Sequence, residues 1–305
     1  MAPNKPLRLP LAVAEVDRAA HLRSDESYLT SSWPTAQVLI FTDEKFATKD
    51  DQLFYESGAS LGQYQDQNDY FLGTKDSKAY FVRDLQSGEI AGLDFKTLRQ
   101  IGASLSPTDI GLAVHAQALA NWHKKHPRCS QCGSTTKVVL AGAVRRCEAD
   151  QSEHYPRTDG AIIVLVKDSQ NRILLGRQKV WPKNRFSTFA GFVEPGESFE
   201  NCLRREVMEE AGVDISEINY LGSQPWPFPA SLMIAFEALT STPEKARPDG
   251  EEIEEIRWFT RAQMKSAIED KTLILPLEIS VARQMIKAWY GEGADTELVG
   301  NESWR

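Results

Sequence analysis

The stretch that decides the fold covers residues 191–213 and reads GFVEPGESFENCLRREVMEEAGV. Five of its charged side chains are candidates for chemistry: Glu197, Arg205, Glu206, Glu209 and Glu210. Carboxylates one turn apart repel each other on a helix, and a bound divalent cation would turn that repulsion into binding. Oxygen-rich sites suit Mg²⁺ or Mn²⁺, ions that commonly accompany phosphates. The stretch therefore predicts a metal centre for phosphate chemistry; the alternative is a solvated acidic helix face.

The residues around these carboxylates predict a helix over residues 199–211. Ser198 is a suitable N-cap, and Gly212 follows the helix where a left-handed cap favours glycine. Three apolar residues recur at every fourth position and are expected to face a core: Phe199, Leu203 and Val207. Three carboxylates stand at i, i+3 and i+4 and can converge on one edge: Glu206, Glu209 and Glu210. Arg205 precedes Glu209 by four residues and can orient it.

The spacing of the whole stretch is G-x5-E-x7-R-E-U-x-E-E-x-G-U, where U is aliphatic. The positions that satisfy it are Gly191, Glu197, Arg205, Glu206, Val207, Glu209, Glu210, Gly212 and Val213. This pattern resembles the signature of the Nudix hydrolases. The resemblance implies an α/β/α sandwich around a mixed sheet, and hydrolysis of a nucleoside diphosphate linked to another moiety.

A second motif, SQPWPFPAS at residues 223–231, narrows the substrate. Its three prolines predict a stiff, extended loop that fixes the rings of Trp226 and Phe228. Gln224 and Ser231 could make polar contacts through their amide and hydroxyl groups. The alternative is a rigid structural loop that packs Trp226 into the core. The motif resembles that of the NADH pyrophosphatase (NudC-like) branch of the Nudix enzymes.

The 305-residue length is comfortable for more than one domain. We expect an α+β / α/β chain in which a Nudix sandwich with a mixed sheet follows a zinc-ribbon-like element and an N-terminal α+β domain. The expected boundaries are residues 1–125, 126–156 and 157–305. Apolar alternation and runs predict strands at residues 37–42, 70–73, 79–82, 161–167, 171–178 and 231–239. Longer periodic segments predict helices at residues 107–122 and 277–290.

Half of a zinc-ribbon pattern lies in the middle segment. Three of the four cysteines of the chain cluster there: Cys129, Cys132 and Cys147. Structural zinc usually has four ligands, but Ser152 stands where a fourth cysteine would complete the set. His154 or Asp150 could replace it, or the ribbon could fold without metal. Zn²⁺ therefore remains an open prediction. Cys202, on the acidic helix, is expected to be a buried small hydrophobe.

The family resemblance implies roles for individual residues. The expected metal ligands are Glu206, Glu210 and the backbone carbonyl of Ala190, with Glu209 a ligand or the group that positions water. A further carboxylate is expected before Trp258, where Glu252 is the first choice and Glu251 and Glu255 are near competitors. Several clustered carboxylates titrate together, so the general base is not assigned to one of them.

The resemblance also implies a dinucleotide pocket. Phe192 and Tyr155 are expected to stack on aromatic groups of the substrate, with core packing as the alternative. Gln224 and Ser231 are expected to make polar contacts, and the backbone near Ala282 another. A homodimer that completes the pocket is expected as well.

Composition and the pattern of apolar residues argue against several other classes of protein. A net charge of −8 disfavours general binding to nucleic acid, and no apolar run approaches the ~20 residues of a membrane span. The N-terminal residues carry no uninterrupted apolar segment of a signal peptide, so we expect a cytoplasmic protein.

The function expected from these features is hydrolysis of NADH and NAD⁺ to AMP and nicotinamide mononucleotide, with removal of NAD caps from RNA as a second activity. One alternative is a broader Nudix pyrophosphatase that acts on ADP-ribose or dinucleoside polyphosphates. Two others belong to other classes: a non-catalytic nucleotide-sensing Nudix module, which predicts a damaged signature, and a zinc-ribbon nucleic-acid adaptor, which predicts four ligands and a basic face.

Overall fold

The structure, a computed structural model, describes residues 6–85, 88, 90 and 92–299. Contacts divide this part of the chain into two compact units. One unit contains Asp159–Gln224, the residues from Leu232 onward and the segment that ends at Pro10. The other contains Leu11–Thr158 together with Pro225–Ser231. The short exchanged segments are not visible in the sequence, and the three predicted domain boundaries stay a prediction.

The N-terminal part is built on a mixed sheet. Its strands are β1 (Gln37–Thr42), β2 (Lys45–Lys49), β3 (Gln52–Leu53), β4 (Tyr55–Ser57), β5 (Asp69–Lys75), β6 (Lys78–Asp84) and β7 (Asp94–Thr97). The strand order is β3-β2-β1-β6-β5, with β4 beside β1 and β7 beside β2. β1 and β6 are parallel, whereas the other pairs are antiparallel. The helices are α1 (Glu26–Ser32), α2 (Leu98–Ile101) and α3 (Pro107–Lys125).

The predicted elements of this part are confirmed. The strand predicted at residues 37–42 has those bounds, and the two shorter predictions lie inside β5 and β6. The helix predicted at residues 107–122 is α3, which runs three residues further. Ser106 caps it by accepting from the Asp109 amide at 3.1 Å, and Pro107 occupies the first turn, where its missing N–H costs nothing.

The middle segment forms a small three-stranded antiparallel sheet in the order β10-β9-β8. Its strands are β8 (Thr136–Val139), β9 (Val144–Cys147) and β10 (Glu153–His154). The turn before β8 and the turn between β9 and β10 lie at the same end of this sheet and bring the predicted zinc cysteines together.

The C-terminal part contains a second sheet in the order β14-β15-β11-β12-β16, with β13 beside β11. Its strands are β11 (Asp159–Lys167), β12 (Ile173–Gln178), β13 (Phe189–Phe192), β14 (Ser216–Trp226), β15 (Ser231–Leu239) and β16 (Ile253–Phe259). Its helices are α4 (Phe199–Ala211), α5 (Arg261–Glu269), α6 (Val281–Tyr290) and α7 (Ala294–Glu297). The hairpin predicted from residues 161–178 is confirmed, since β11 and β12 pair antiparallel.

Strand β11 shows why this part is a sandwich. Its side chains alternate between the two faces of the sheet, and both faces are apolar. One face shares a core with α4 and contributes Ile162, Val164 and Val166 beside Cys202, Leu203 and Val207. The other shares a core with α6 and contributes Ile163 and Leu165 beside Val281, Met285 and Ile286. The predicted α/β/α arrangement is therefore confirmed.

Three sequence predictions need correction. Phe199 is 42% exposed instead of facing the core, because it is the first residue of α4 and precedes the buried stripe. The helix predicted from residue 277 begins at Val281, since Ser280 caps it through the Arg283 amide at 3.3 Å. The proline motif is a loop only in part: its first residues end β14, residues 227–230 form a turn, and its last residue begins β15.

Within the described residues, no helix is long and apolar enough to span a membrane.

Candidate active site

Helix α4 carries most of the predicted site, and its ends form as the sequence predicts. Ser198 accepts a hydrogen bond from the Asn201 amide at 3.3 Å, and Gly212 ends the helix with φ 68°. Gly191, on β13, lies directly under Glu206. A Cβ at Gly191 would be 1.9 Å from the Glu206 carboxylate carbon, so glycine is needed for that carboxylate to lie against the strand.

Arg205 organises three of the carboxylates. Its guanidinium donates two bonds to Glu197, at 2.9 and 2.8 Å, and single bonds to Glu206 at 2.8 Å and Glu209 at 3.1 Å. It also donates to the Phe192 carbonyl at 3.2 Å. This bidentate pair holds the pKa of Glu197 at about 2, while the carboxylates raise the pKa of Arg205 above its ordinary value. Arg205 therefore ties the loop before α4 to the helix.

Glu210 is the buried member of the group, only 5% exposed. Its Oε2 atom has no hydrogen-bond partner, although the backbone of Ala190 bonds the carboxyl group. Burial, and to a smaller extent the charges of Glu252, Glu206 and Asp249, together raise its pKa to about 8. A buried, partnerless carboxylate oxygen costs free energy unless something binds it.

The carboxylate expected before Trp258 is supplied by the turn that precedes β16. Glu252 raises the pKa of both Glu206 and Glu210 through its charge, and its Oε1 accepts from the Gln178 amide at 2.6 Å. The competitor Glu255 is engaged elsewhere, with Arg257 at 2.7 Å. The structure thus brings Glu252 to the carboxylates of α4.

Asp249 is a site residue that the sequence reasoning missed. Its carboxylate accepts from the amides of Glu251 at 3.0 Å, Glu252 at 3.3 Å and Ile253 at 2.8 Å. These bonds fold the turn that carries Glu252. The signal was available, because Asp249 and Gly250 form a turn-forming dipeptide just before a strand.

These residues fit a divalent cation. The Oε2 atom of Glu210 has no hydrogen-bond partner, and the charges of Glu206 and Glu252 act on the same carboxyl group. Gly191 leaves room for the Glu206 carboxylate. Hard oxygen donors of this kind suit Mg²⁺ or Mn²⁺. The arrangement can therefore hold a cation that binds a phosphate.

The two predicted stacking residues are both on the surface. Phe192 is 59% exposed at the end of β13, and Tyr155 is 64% exposed, with its hydroxyl donating to Glu153 at 2.8 Å. Core packing, the alternative for both rings, is thereby excluded within this chain. Ser231 is half-buried at the start of β15.

Gln224 has a structural position. Its side chain is fully buried; its amide nitrogen donates to the carbonyls of Pro10 and of Ile279, the latter at 2.9 Å, and its oxygen accepts from the Val281 amide at 2.8 Å. Gln224 therefore fixes the start of α6, where Ala282 occupies the first turn and is itself 3% exposed. Neither side chain reaches the surface of the described chain.

The aromatic rings of the proline motif are held by neighbours. The guanidinium of Arg99 lies 5.2 Å from the Trp226 ring and 4.1 Å from the Phe228 ring, a cation–π arrangement. The side-chain amides of Gln117 and Asn121 donate to the Pro227 carbonyl at 3.1 and 3.0 Å. These contacts support the alternative that the motif is a rigid structural segment. Trp226 itself is half-buried instead of packed into a core.

The predicted zinc cysteines also come together. The ligand atoms of four side chains lie within 4.8 Å of one another: Cys129, Cys132, Cys147 and Asp150. All four cysteines of the chain are free thiols. Cys202, on α4, is fully buried, as expected for a small apolar side chain.

Known proteins match all three parts of the chain. A NUDIX domain matches residues 156–276, an NADH pyrophosphatase zinc ribbon domain residues 124–155, and an NADH pyrophosphatase-like rudimentary NUDIX domain residues 27–122. The NAD-capped RNA hydrolase NudC of Mycobacterium bovis is 36% identical over 288 residues, which are 90% of this chain and 92% of that protein. The chain belongs to the NudC-like NADH pyrophosphatase family of Nudix hydrolases.

Two further relatives extend the comparison. Human NAD-capped RNA hydrolase NUDT12 is 36% identical over 197 residues, covering 61% of this NudC-like chain and 42% of the human protein. Among solved structures, a NUDIX hydrolase from Nitrosomonas europaea superimposes with a TM-score of 0.42 and 18% identity, over 57% of this chain and 96% of that one.

Family membership adds one fact about the N-terminal domain of this NudC-like protein. The sequence predicted only an α+β unit there, whereas the family match is to a rudimentary NUDIX domain. Residues 27–122 lack the spaced glutamates of the signature, so sequence patterning could not identify this relationship.

Proposed function

We propose that this protein hydrolyses the pyrophosphate bond of NADH and NAD⁺ to AMP and nicotinamide mononucleotide, and that NAD-capped RNA is a second substrate. The observation that carries the proposal is the buried Glu210 carboxylate, whose Oε2 lacks a partner beside the charges of Glu206 and Glu252. Such a site in a member of this family supports metal-dependent phosphoanhydride hydrolysis.

The proposed ligands are Glu206, Glu209, Glu210, Glu252 and the backbone carbonyl of Ala190. Bound Mg²⁺ or Mn²⁺ would neutralise the phosphates and lower the pKa of the attacking water. Arg205 holds Glu206 and Glu209 in position by hydrogen bonds of 2.8 and 3.1 Å. Glu209 is 59% exposed at its side chain, so it is free to orient water or accept its proton. Because the clustered carboxylates titrate together, the accepted proton is not assigned to one of them.

The dinucleotide is proposed to stack on Phe192 and Tyr155, whose rings are exposed. Ser231 supplies a polar contact. Gln224 acts indirectly, since its buried amide holds the first turn of α6, where the backbone at Ala282 lies. A homodimer and a cytoplasmic location, both expected from the sequence, belong to this proposal; light scattering in solution tests the first.

A panel of substrates tests the activity. Purified protein is incubated with NADH, NAD⁺, ADP-ribose and NAD-capped RNA in Mg²⁺ or Mn²⁺, and products are separated by chromatography. We expect AMP from NADH at a kcat/KM at least ~10-fold above that for ADP-ribose. Rapid cleavage of ADP-ribose without AMP from NADH would instead support the broader pyrophosphatase.

A further inference from the structure

The turns beside the small β8–β9–β10 sheet bring four possible metal ligands together. The spacing of the cysteines in the sequence does not identify the fourth of them. Cys129, Cys132, Cys147 and Asp150 place one sulfur or oxygen atom each within 4.8 Å of the other three. The Sγ atoms of Cys132 and Cys147 are 3.5 Å apart, and Cys129 Sγ is 3.6 Å from Asp150 Oδ2. These separations exceed a disulfide bond and suit ligands of one ion.

The separations agree with tetrahedral zinc. With Zn–S near 2.3 Å and Zn–O near 2.1 Å, the edges of a tetrahedron are about 3.8 Å between two sulfurs and about 3.6 Å between sulfur and oxygen. Three soft thiolates also favour zinc over Mg²⁺ or Ca²⁺. The donor set therefore fits zinc in both distance and chemistry.

The contacts of Asp150 favour it as the fourth ligand, although Ser152 Oγ also lies 3.4 Å from Cys129 Sγ. Its Oδ1 accepts from the Ser152 hydroxyl at 2.5 Å and from the Ser152 amide at 2.9 Å. Those two bonds leave Oδ2 directed at Cys129. His154, the other candidate, has its ring nitrogens 3.3 Å from Ser152 Oγ and 3.5 Å from Ser130 Oγ, outside the ligand set.

We propose that Cys129, Cys132, Cys147 and Asp150 bind one zinc ion as a Cys₃Asp site, and that Ser152 is the positioning residue that orients Asp150. Ser152, at the place of a fourth cysteine, thus keeps a role in the site without binding the metal. An outer group that bonds a ligating carboxylate fixes its orientation and strengthens binding.

Side-chain hydrogen bonds outside the ligand set also hold the surrounding sheet. The side chain of Gln67 exchanges two hydrogen bonds with the backbone of Val138, at 3.1 and 3.0 Å. Arg145, on β9, donates to Thr136 and lies 3.1 Å from the His123 ring. Variants of the ligand set are therefore expected to fold, which makes metal binding measurable in each.

Zinc content and affinity test the proposal. Protein freed of metal is titrated with zinc against a chromophoric chelator, and bound zinc is counted by mass spectrometry. We expect one zinc per wild-type chain. Ser152→Ala should weaken binding by ~10-fold, within the range of outer partners, and Asp150→Ala, which removes a ligand, by more than the ~100-fold upper end of that range. His154→Ala, the matched control, should bind within about twofold of wild type.

Cobalt provides a second readout that does not depend on activity. Co²⁺ in the wild-type site should give tetrahedral thiolate absorption, and Asp150→Ala should lose or shift it while His154→Ala keeps it. Far-UV circular dichroism checks that each variant is folded. The proposal is overturned if the wild-type protein binds no zinc, if His154→Ala loses the metal, or if Asp150→Ala binds as tightly as wild type.

Discussion

At the scale of single residues, the site depends on a small number of close contacts. Gly191 leaves the space that the Glu206 carboxylate occupies, and Arg205 donates hydrogen bonds to three glutamates. Glu210 is buried, and one of its carboxylate oxygens has no hydrogen-bond partner. The types and spacing of these residues were predictable from the sequence. Their burial was not, because periodicity indicates which side of α4 faces a core and not how deeply a carboxylate at its edge is enclosed.

Gly191→Ala tests the contact beneath Glu206. The new Cβ would meet the Glu206 carboxylate at 1.9 Å, and that flexible side chain would move aside instead of the backbone. A displacement of about 1 Å at a reacting centre can cost roughly 100-fold in rate. We expect such a loss in kcat, with a Tm close to that of wild type.

Gly160→Ala is the matched control, since its Cβ would be 3.9 Å from the nearest atom, on Val193. It should retain activity within about threefold. Similar kcat values for the two variants would disprove a role for the space at Gly191.

Glu210→Gln tests the cost of burying this carboxyl group. Its pKa in the metal-free protein is about 8, above the ordinary value of 4.5, so the folded state favours the protonated form. The wild-type protein therefore loses stability as pH rises from 4.5 through 8. The neutral glutamine avoids that loss, and metal-free Glu210→Gln should have the higher Tm at pH 8 by thermal melting. A lower Tm for Glu210→Gln than for the wild-type protein at pH 8 would argue against a raised pKa of the buried Glu210 carboxyl group.

At the scale of elements, the helix and the strands that carry the signature form as predicted. α4 has the predicted bounds, because a cap, an apolar stripe and a terminal glycine all indicate the same helix. The proline motif was less predictable. Its alternation of proline with aromatic residues is compatible with both a loop and the end of a strand. The residues that hold the motif in its observed conformation, such as Arg99 and Asn121, are remote in sequence.

The variant Asp249→Ala tests whether the turn before β16 positions Glu252. Removing its carboxylate in Asp249→Ala deletes the acceptor for three backbone amides and releases Glu252. Outer groups of metal sites typically contribute 10–100-fold, and we expect a fall of ~10-fold or more in kcat and weaker activation by Mg²⁺. Glu251→Ala, an exposed neighbour in the same turn, should behave like wild type; equal losses in both would refute the positioning role.

At the scale of the whole molecule, two compact units exchange short segments, which no local sequence signal predicts. The N-terminal unit also contains a buried histidine that makes its stability depend on pH. His123 donates from Nε2 to the Gly142 carbonyl at 2.9 Å, and its Nδ1 accepts from Arg145 at 3.1 Å. Burial, and to a smaller extent the charge of Arg145, together lower its pKa to about 3.

This lowered pKa predicts acid sensitivity. Below an unfolded-state pKa of ~6.5 the unfolded chain binds a proton that the folded chain excludes, so stability is complete above pH 6.5 and falls as pH decreases toward 3. Between pH 7 and pH 5, His123 should account for about 2 kcal/mol of the lost free energy of unfolding. Urea titrations of His123→Gln should show a correspondingly smaller loss.

His21→Gln, at an exposed position, controls for the removal of a histidine and should lose as much stability as wild type over the same pH range. If His123→Gln and the wild-type protein lose equal stability between pH 7 and pH 5, the buried neutral histidine is not the cause.

The central claim is that the carboxylates gathered around Glu210 hydrolyse the pyrophosphate of NADH. The most direct measurement is the rate of AMP formation from NADH by wild-type protein and by Glu210→Gln, at the same Mg²⁺ or Mn²⁺ concentration. The account predicts AMP and reduced nicotinamide mononucleotide in equal amounts from the wild-type protein, and a rate at least ~100-fold lower in the folded variant. Near-wild-type AMP formation by Glu210→Gln, or none by the wild-type protein, would contradict it.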